Sequence, residues 1–124
     1  MTPKNVDHLV LEVRDMEKSL AFYCGLLGLP AERLDLFQQG QAPFVSVRAG
    51  TTLVDLFPSD NPSAGPPHFC VEFSDPIEEI IAALKAHGID PGKPKPRFGA
   101  RGTGLSVYVY DPDGHQVEIR TYHA

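Results

Sequence analysis

The stretch His8-Leu-Val-Leu-Glu-Val-Arg-Asp15 returns sixty residues later as His68-Phe-Cys-Val-Glu-Phe-Ser-Asp75. His, Glu and Asp recur in register, and each copy runs into an apolar helical segment that closes on a glycine, Gly28 in the first and Gly88 in the second. Such recurrence reads as two structurally equivalent halves. Within each copy apolar and polar residues alternate, the period of a half-buried strand. Leu9, Leu11 and Val13 take one face and His8, Val10 and Glu12 the other; Phe69, Val71 and Phe73 oppose His68, Cys70 and Glu72 in the same way. A histidine repeated on the same face is a repeated position in space.

The end of each half extends the pattern. Val54-Asp55-Leu56 aligns with Val117-Glu118-Ile119, 63 residues on, so the second copy carries three additional residues. Each half thus supplies one histidine near its start and one carboxylate near its end. Two imidazoles and two carboxylates suit a divalent ion, because both donor types bind Mn, Fe, Co, Ni or Zn. His8, His68, Glu118 and Asp55 are the candidate ligands.

Between these landmarks the elements follow from period and punctuation. Asp15 is placed to cap a helix with apolar positions Met16, Leu20, Tyr23, Cys24 and Leu27, which Gly28 ends in the left-handed region. Asp75-Pro76 with Glu78 predicts a second capped start, and Ile77, Ile80, Ile81 and Leu84 an apolar stripe. Strands are expected over residues 6–13, weakly over 33–38, then over 44–48 and 53–57. The second half repeats them, with a weak strand within 93–98, strong ones over 105–110 and 116–122, and the turn Asp111-Pro-Asp-Gly114. The Pro- and Gly-rich stretch 60–67 separates modules of about residues 5–58 and 66–123. The expected fold class is α+β, two βαβββ modules curling a mixed sheet around a cavity in a single domain.

A length of 124 residues allows a core without disulfides. A net charge of −5 with dispersed cations argues against nucleic acid or an anionic membrane as partner. No apolar run reaches membrane-spanning length and the N-terminus lacks a signal-peptide core, so a cytoplasmic location is expected. Cys24 and Cys70 lie in apolar segments, which predicts buried free thiols.

The duplicated βαβββ plan resembles the vicinal oxygen chelate superfamily, which includes glyoxalase I, fosfomycin-resistance enzymes, extradiol dioxygenases and bleomycin-binding proteins. The residues that carry the resemblance are Asp7-His8 through Asp15, Ser19-Leu-Ala-Phe22-Tyr23 with Leu27-Gly28-Leu29, and Val107-Tyr-Val-Tyr-Asp111-Pro-Asp-Gly114-His-Gln-Val-Glu118. The resemblance implies metal ligands at His8, His68 and Glu118, with Asp55 at a variable fourth position. It also implies a homodimer in which both chains complete each cavity. Tyr108 and Ser106 are similar to substrate-contacting positions of the fosfomycin-resistance enzymes.

The segment 93–102 concentrates Lys93, Lys95, Arg97 and Arg101 on an acidic chain, which predicts a mobile loop over the cavity and a small anionic substrate. Arg101 is the favoured contact there; Arg48 is either a substrate contact or an ion-pair partner. The leading expectation is a metal-dependent lyase or isomerase acting on vicinal oxygens, with Glu118 or Asp55 moving a proton. The alternatives are an Fe(II) extradiol-type dioxygenase, a fosfomycin-resistance-like transferase, and a metal-free ligand-binding protein.

Overall fold

A computed structural model describes residues 1–123. The chain forms two compact units, Met1–Gly65 and a second beginning at Pro66. The strands make two four-stranded mixed sheets, one in each unit.

In the first unit β1 (His8–Val13) leads into α1 (Met16–Leu20), whose turns widen to π-helical geometry over Ala21–Leu26. The Asp15 carboxylate accepts the Lys18 backbone N–H at 3.2 Å, the expected cap. The chain leaves this helix through Gly28, at φ 75°. Strands β2 (Ala31–Glu32), β3 (Val45–Ala49) and β4 (Thr52–Pro58) complete the sheet in the order β1-β4-β3-β2, with β1 and β4 parallel. Leu11, Val13, Val45, Val47, Val54 and Leu56 are buried, and the ladder pairs Leu11 with Leu56 and Val47 with Val54 on one face. The opposite face carries Val10, Asp55 and Ser46 in line across three strands.

The second unit repeats the plan with β5 (Phe69–Glu72), α3 (Ile77–Ala86), β6 (Lys95–Gly99), β7 (Gly102–Tyr110) and β8 (Gln116–Thr121), ordered β5-β8-β7-β6. Its greasy face is Val71, Val107, Val109, Val117 and Ile119, joined in burial by Ile77, Ile80 and Leu84 of α3. His87 follows that helix as its cap, with Nδ1 3.0 Å from the Ala83 carbonyl, the structural role its position suggests.

Four local expectations need correction. Residues 33–38 are not a strand: Leu34–Gln38 forms α2, and pairing with β3 is confined to Ala31 and Glu32. The start of α3 has no side-chain cap, because Pro76, not Asp75, holds the N-cap position. Segment 93–102 is not a loop throughout: Lys95–Gly99 forms β6 and turns tightly into β7, with Gly99 paired to Gly102. The cysteines are not both interior, since Cys24 is half-buried and Cys70 exposed. Among the described residues no helix is long and apolar enough to cross a membrane.

Candidate metal-binding residues and their surroundings

In the first unit, β1 and β4 bring His8 and Asp55 to the same face, with Nε2 of the imidazole 3.8 Å from Asp55 Oδ2. The other ring nitrogen, Nδ1, lies 2.8 Å from Asp7 Oδ2. A carboxylate only accepts, so Nδ1 carries a proton, and in the neutral imidazole Nε2 then presents its lone pair. The hydrogen bond to Asp7, and then the charge of Asp55, raise the His8 pKa above its ordinary 6.5. Asp55 is buried, and its second oxygen, Oδ1, accepts the Ser46 hydroxyl at 2.6 Å. Ser46 in turn accepts from the Arg33 guanidinium at 2.5 Å. Arg33 lies 5.4 Å above the Phe44 ring, which stacks on Phe57 at 4.4 Å.

The second unit repeats the pair. His68 Nε2 is 3.2 Å from Glu118 Oε1, while Glu118 Oε2 accepts the Ser106 hydroxyl at 2.7 Å. Glu118 and Ser106 are both buried, and the Tyr108 ring meets His68 edge-on at 5.9 Å. Arg120 is also buried, with NH1 3.8 Å from the same Glu118 oxygen. Cys70 pairs with Glu118 in the ladder. Desolvation of its thiol, then the Glu118 charge, push its pKa up to about 12.

Two neighbouring donor atoms sharing one ion at bond lengths near 2.1 Å stand about 3.0–3.4 Å apart. The His68–Glu118 separation falls in that range, and a small closure brings His8 and Asp55 into it. Each unit therefore supplies a histidine and carboxylate pair whose chemistry suits a divalent ion, as part of a ligand set. A third group, Asp111, Asp113 and His115, has ligand atoms within 4.8 Å of one another. These residues form the β7–β8 turn, where Asp111 accepts the backbone N–H groups of Asp113 and His115 at 2.9 Å each, so shaping the turn explains the cluster.

The expected substrate cations are engaged elsewhere. Arg48 forms a two-point ion pair with Glu32, its Nη2 at 3.1 Å from Oε1. Glu32 is held below its ordinary pKa by this guanidinium. Arg101 pairs with Glu72, stacks over Tyr122 at 4.7 Å and offers its backbone N–H to the Tyr122 hydroxyl. Glu12 accepts the Ser63 backbone N–H at 2.7 Å. A cavity of about 170 Å³ in the second unit, bounded by Pro96, Thr103, Leu105 and Tyr122, includes none of the candidate ligands. Sequence reasoning missed Asp7, Ser46, Arg33 and Arg120 as partners of the site. Strand parity could have found two of them, since Ser46 shares the Asp55 face and Arg120 stands two residues from Glu118.

Residues 5–119 match the model of the Glyoxalase/Bleomycin resistance protein/Dioxygenase superfamily. The chain belongs to that superfamily. It is 30% identical to virulence protein STM3117 of Salmonella typhimurium over 94% of this chain and 83% of that protein. The crystal structure of STM3117 superposes with a TM-score of 0.79, covering 98% of this chain and 99% of that one. It is also 30% identical to the glyoxalase domain-containing protein RDO1 of Mycosarcoma maydis, over 98% of this chain and 70% of the relative. A catechol-2,3-dioxygenase of Bacillus subtilis is 25% identical over 93% of this chain, which spans 40% of that protein.

Proposed function

We propose that the protein is a divalent-metal-dependent enzyme of the glyoxalase type, a lyase or isomerase acting on a small substrate with two neighbouring oxygens. His8, His68 and Glu118 are the ligands in this reading, with Asp55 as the fourth. One observation carries it: in each unit a histidine Nε2 faces a single carboxylate oxygen, at 3.8 and 3.2 Å, while a buried serine hydroxyl occupies the other oxygen. Evenly solvated surface pairs have no need of such arrangement.

When bound, the ion supplies a Lewis-acid centre for oxyanion character on the substrate. The chain's residues do the rest. Tyr108 and Ser106 stand beside His68 and Glu118, where they bear on substrate orientation. Arg101 remains available to an anionic substrate, because an exposed ion pair such as Arg101–Glu72 is worth only about 0–1 kcal/mol. Arg101→Ala is expected to raise KM more than it lowers kcat.

The dioxygenase reading draws on the catechol-2,3-dioxygenase relative and on the two-histidine, one-carboxylate set. Asp55 separates the two readings. Its burial and fixed orientation toward His8 favour a fourth ligand, hence the lyase or isomerase. The test is calorimetry with Mn, Fe(II), Co, Ni and Zn on protein purified without chelator, followed by a screen of vicinal-oxygen substrates. About one ion per chain is expected, and His68→Ala should abolish tight binding. Absence of binding by every one of these ions would overturn the proposal.

A further inference from the structure

The carboxylates facing the two histidines share a second arrangement that the duplication did not supply. In the second unit Glu118 Oε2 accepts the Ser106 hydroxyl at 2.7 Å and lies 3.8 Å from Arg120, leaving Oε1 to His68. In the first, Asp55 Oδ1 accepts Ser46 at 2.6 Å, and Arg33 donates to that serine, leaving Oδ2 to His8. Both are arginine, serine, carboxylate and histidine in contact. The serines and arginines are nevertheless not counterparts. Ser46 lies directly across the ladder from Asp55, whereas Ser106 lies across from Arg120, and Tyr108 holds the place opposite Glu118. Arg33 comes from the turn before α2, Arg120 from β8 itself. A serine on one oxygen of each carboxylate, backed by an arginine through that serine in the first unit and on the carboxylate itself in the second, reached from non-equivalent positions, points to a requirement of the carboxylate rather than to a copied scaffold.

Arg120 is also held by more than the carboxylate, and Arg33 by more than the serine. Arg120 is 5% exposed, donates from NH1 to the Phe98 carbonyl at 3.1 Å and from NH2 to the Arg97 carbonyl at 2.6 Å, and lies 5.1 Å above the Tyr122 ring. It crosses β6 where Gly99 has no side chain; a Cβ there would stand 1.8 Å from NH1. Its Nε is buried without a hydrogen-bond partner among the described residues, so the rest of the guanidinium is tied down at that expense. Arg33, a non-glycine residue at φ 66°, adopts left-handed backbone while its side chain turns onto buried Ser46.

We infer that Arg120 with Ser106, and Arg33 with Ser46, are positioning residues that occupy one oxygen of each carboxylate so that a bound ion receives only the other. A carboxylate free at both oxygens can bind in two-point fashion and use two coordination positions. Clamped in this way Glu118 and Asp55 use one each. Positions are thereby kept for a substrate that itself brings two oxygens. This inference rests on the metal reading given under Proposed function.

The full-length protein titrated with Co(II) alone tests it, by calorimetry and by the visible absorption of the ion, which responds to coordination number. Outer partners of metal ligands typically contribute about 10–100-fold in affinity. Ser106→Ala, Arg33→Met and Arg120→Met should each weaken Co(II) binding by about that factor and alter the absorption, with Arg120→Lys restoring part of the loss. Arg33 is exposed and Ser106→Ala removes one atom, so these two variants decide the matter even if Arg120→Met does not fold. No Co(II) binding by wild type overturns the metal reading itself. Wild-type binding with folded Ser106→Ala and Arg33→Met within twofold of it, and unchanged spectra, overturns the positioning role alone.

Discussion

Two buried serines of the first unit, changed in the same way, should move stability in opposite directions. Ser46 is fully buried and its hydroxyl stands between two charged groups, donating to Asp55 at 2.6 Å and accepting from Arg33 at 2.5 Å. Ser46→Ala strips a buried carboxylate oxygen of its donor, and a hydrogen bond to a charged group contributes about 1.5–3 kcal/mol. The expected loss is about 2–3 kcal/mol, which for a chain of this size lowers Tm by about 8–12 °C. Ser19 is equally buried, but its hydroxyl has no partner among the described residues. Ser19→Ala removes an unsatisfied polar atom from within helix α1 and installs the best helix former, so it should leave Tm unchanged or raise it. Thermal and urea unfolding of metal-free protein measure both. If Ser46→Ala costs less than about 0.5 kcal/mol, or if the two variants fall together, the Arg33–Ser46–Asp55 array does not carry the energy argued for it.

Other expectations follow from the same geometry. In metal-free protein the His8 imidazole should titrate above 6.5 by NMR and fall back in Asp7→Asn. Because the folded value is raised, the stability from this pairing is full below the ordinary pKa and is lost as pH rises through the folded one; an unshifted wild-type titration would remove the Asp7 hydrogen bond from solution. Cys70 is exposed, yet a pKa of about 12 leaves very little thiolate, so at pH 8 it should react with iodoacetamide at least about tenfold more slowly than an ordinary thiol. Alkylation at the ordinary rate would contradict the desolvation assigned to it. If the working unit is a homodimer whose ligands come from both chains, mixing His8→Ala with Glu118→Ala chains restores part of the metal binding. No recovery in verified mixed dimers would exclude shared sites.

The repeated His-x-x-x-Glu-x-x-Asp strand decided the element order in both units, because an alternating strand and its capped helix are encoded locally. The repeat paired Asp55 with Glu118 as it paired the histidines, but their shared faces with His8 and His68 depend on the register of strands distant in sequence. Residues 33–38 are ambiguous in sequence because Leu34 and Leu36 fit a strand period while Leu34 and Phe37 fit a helix period over so short a run, and the left-handed turn at Arg33 accompanies contacts of its side chain. The fates of Arg48 and Arg101 were illegible for a different reason. Each depends on a residue distant in sequence, Glu32 or Glu72, whose place beside it is set by strand order.

The two parallel ladders have the same register although the copies differ in length. Val10 stands opposite Asp55 and Cys70 opposite Glu118, so the three additional residues of the second half are absorbed entirely outside the β5–β8 pairing. A change of length in the intervening turns is therefore silent for the histidine and carboxylate. A slip of one residue in the ladder would instead send the carboxylate to the greasy face. Evolution can lengthen, shorten or recharge the hairpins to suit a new substrate while the donor pair stays fixed. For the engineer, the turns are the place to redesign specificity and the parallel strand pairs are the place to leave alone.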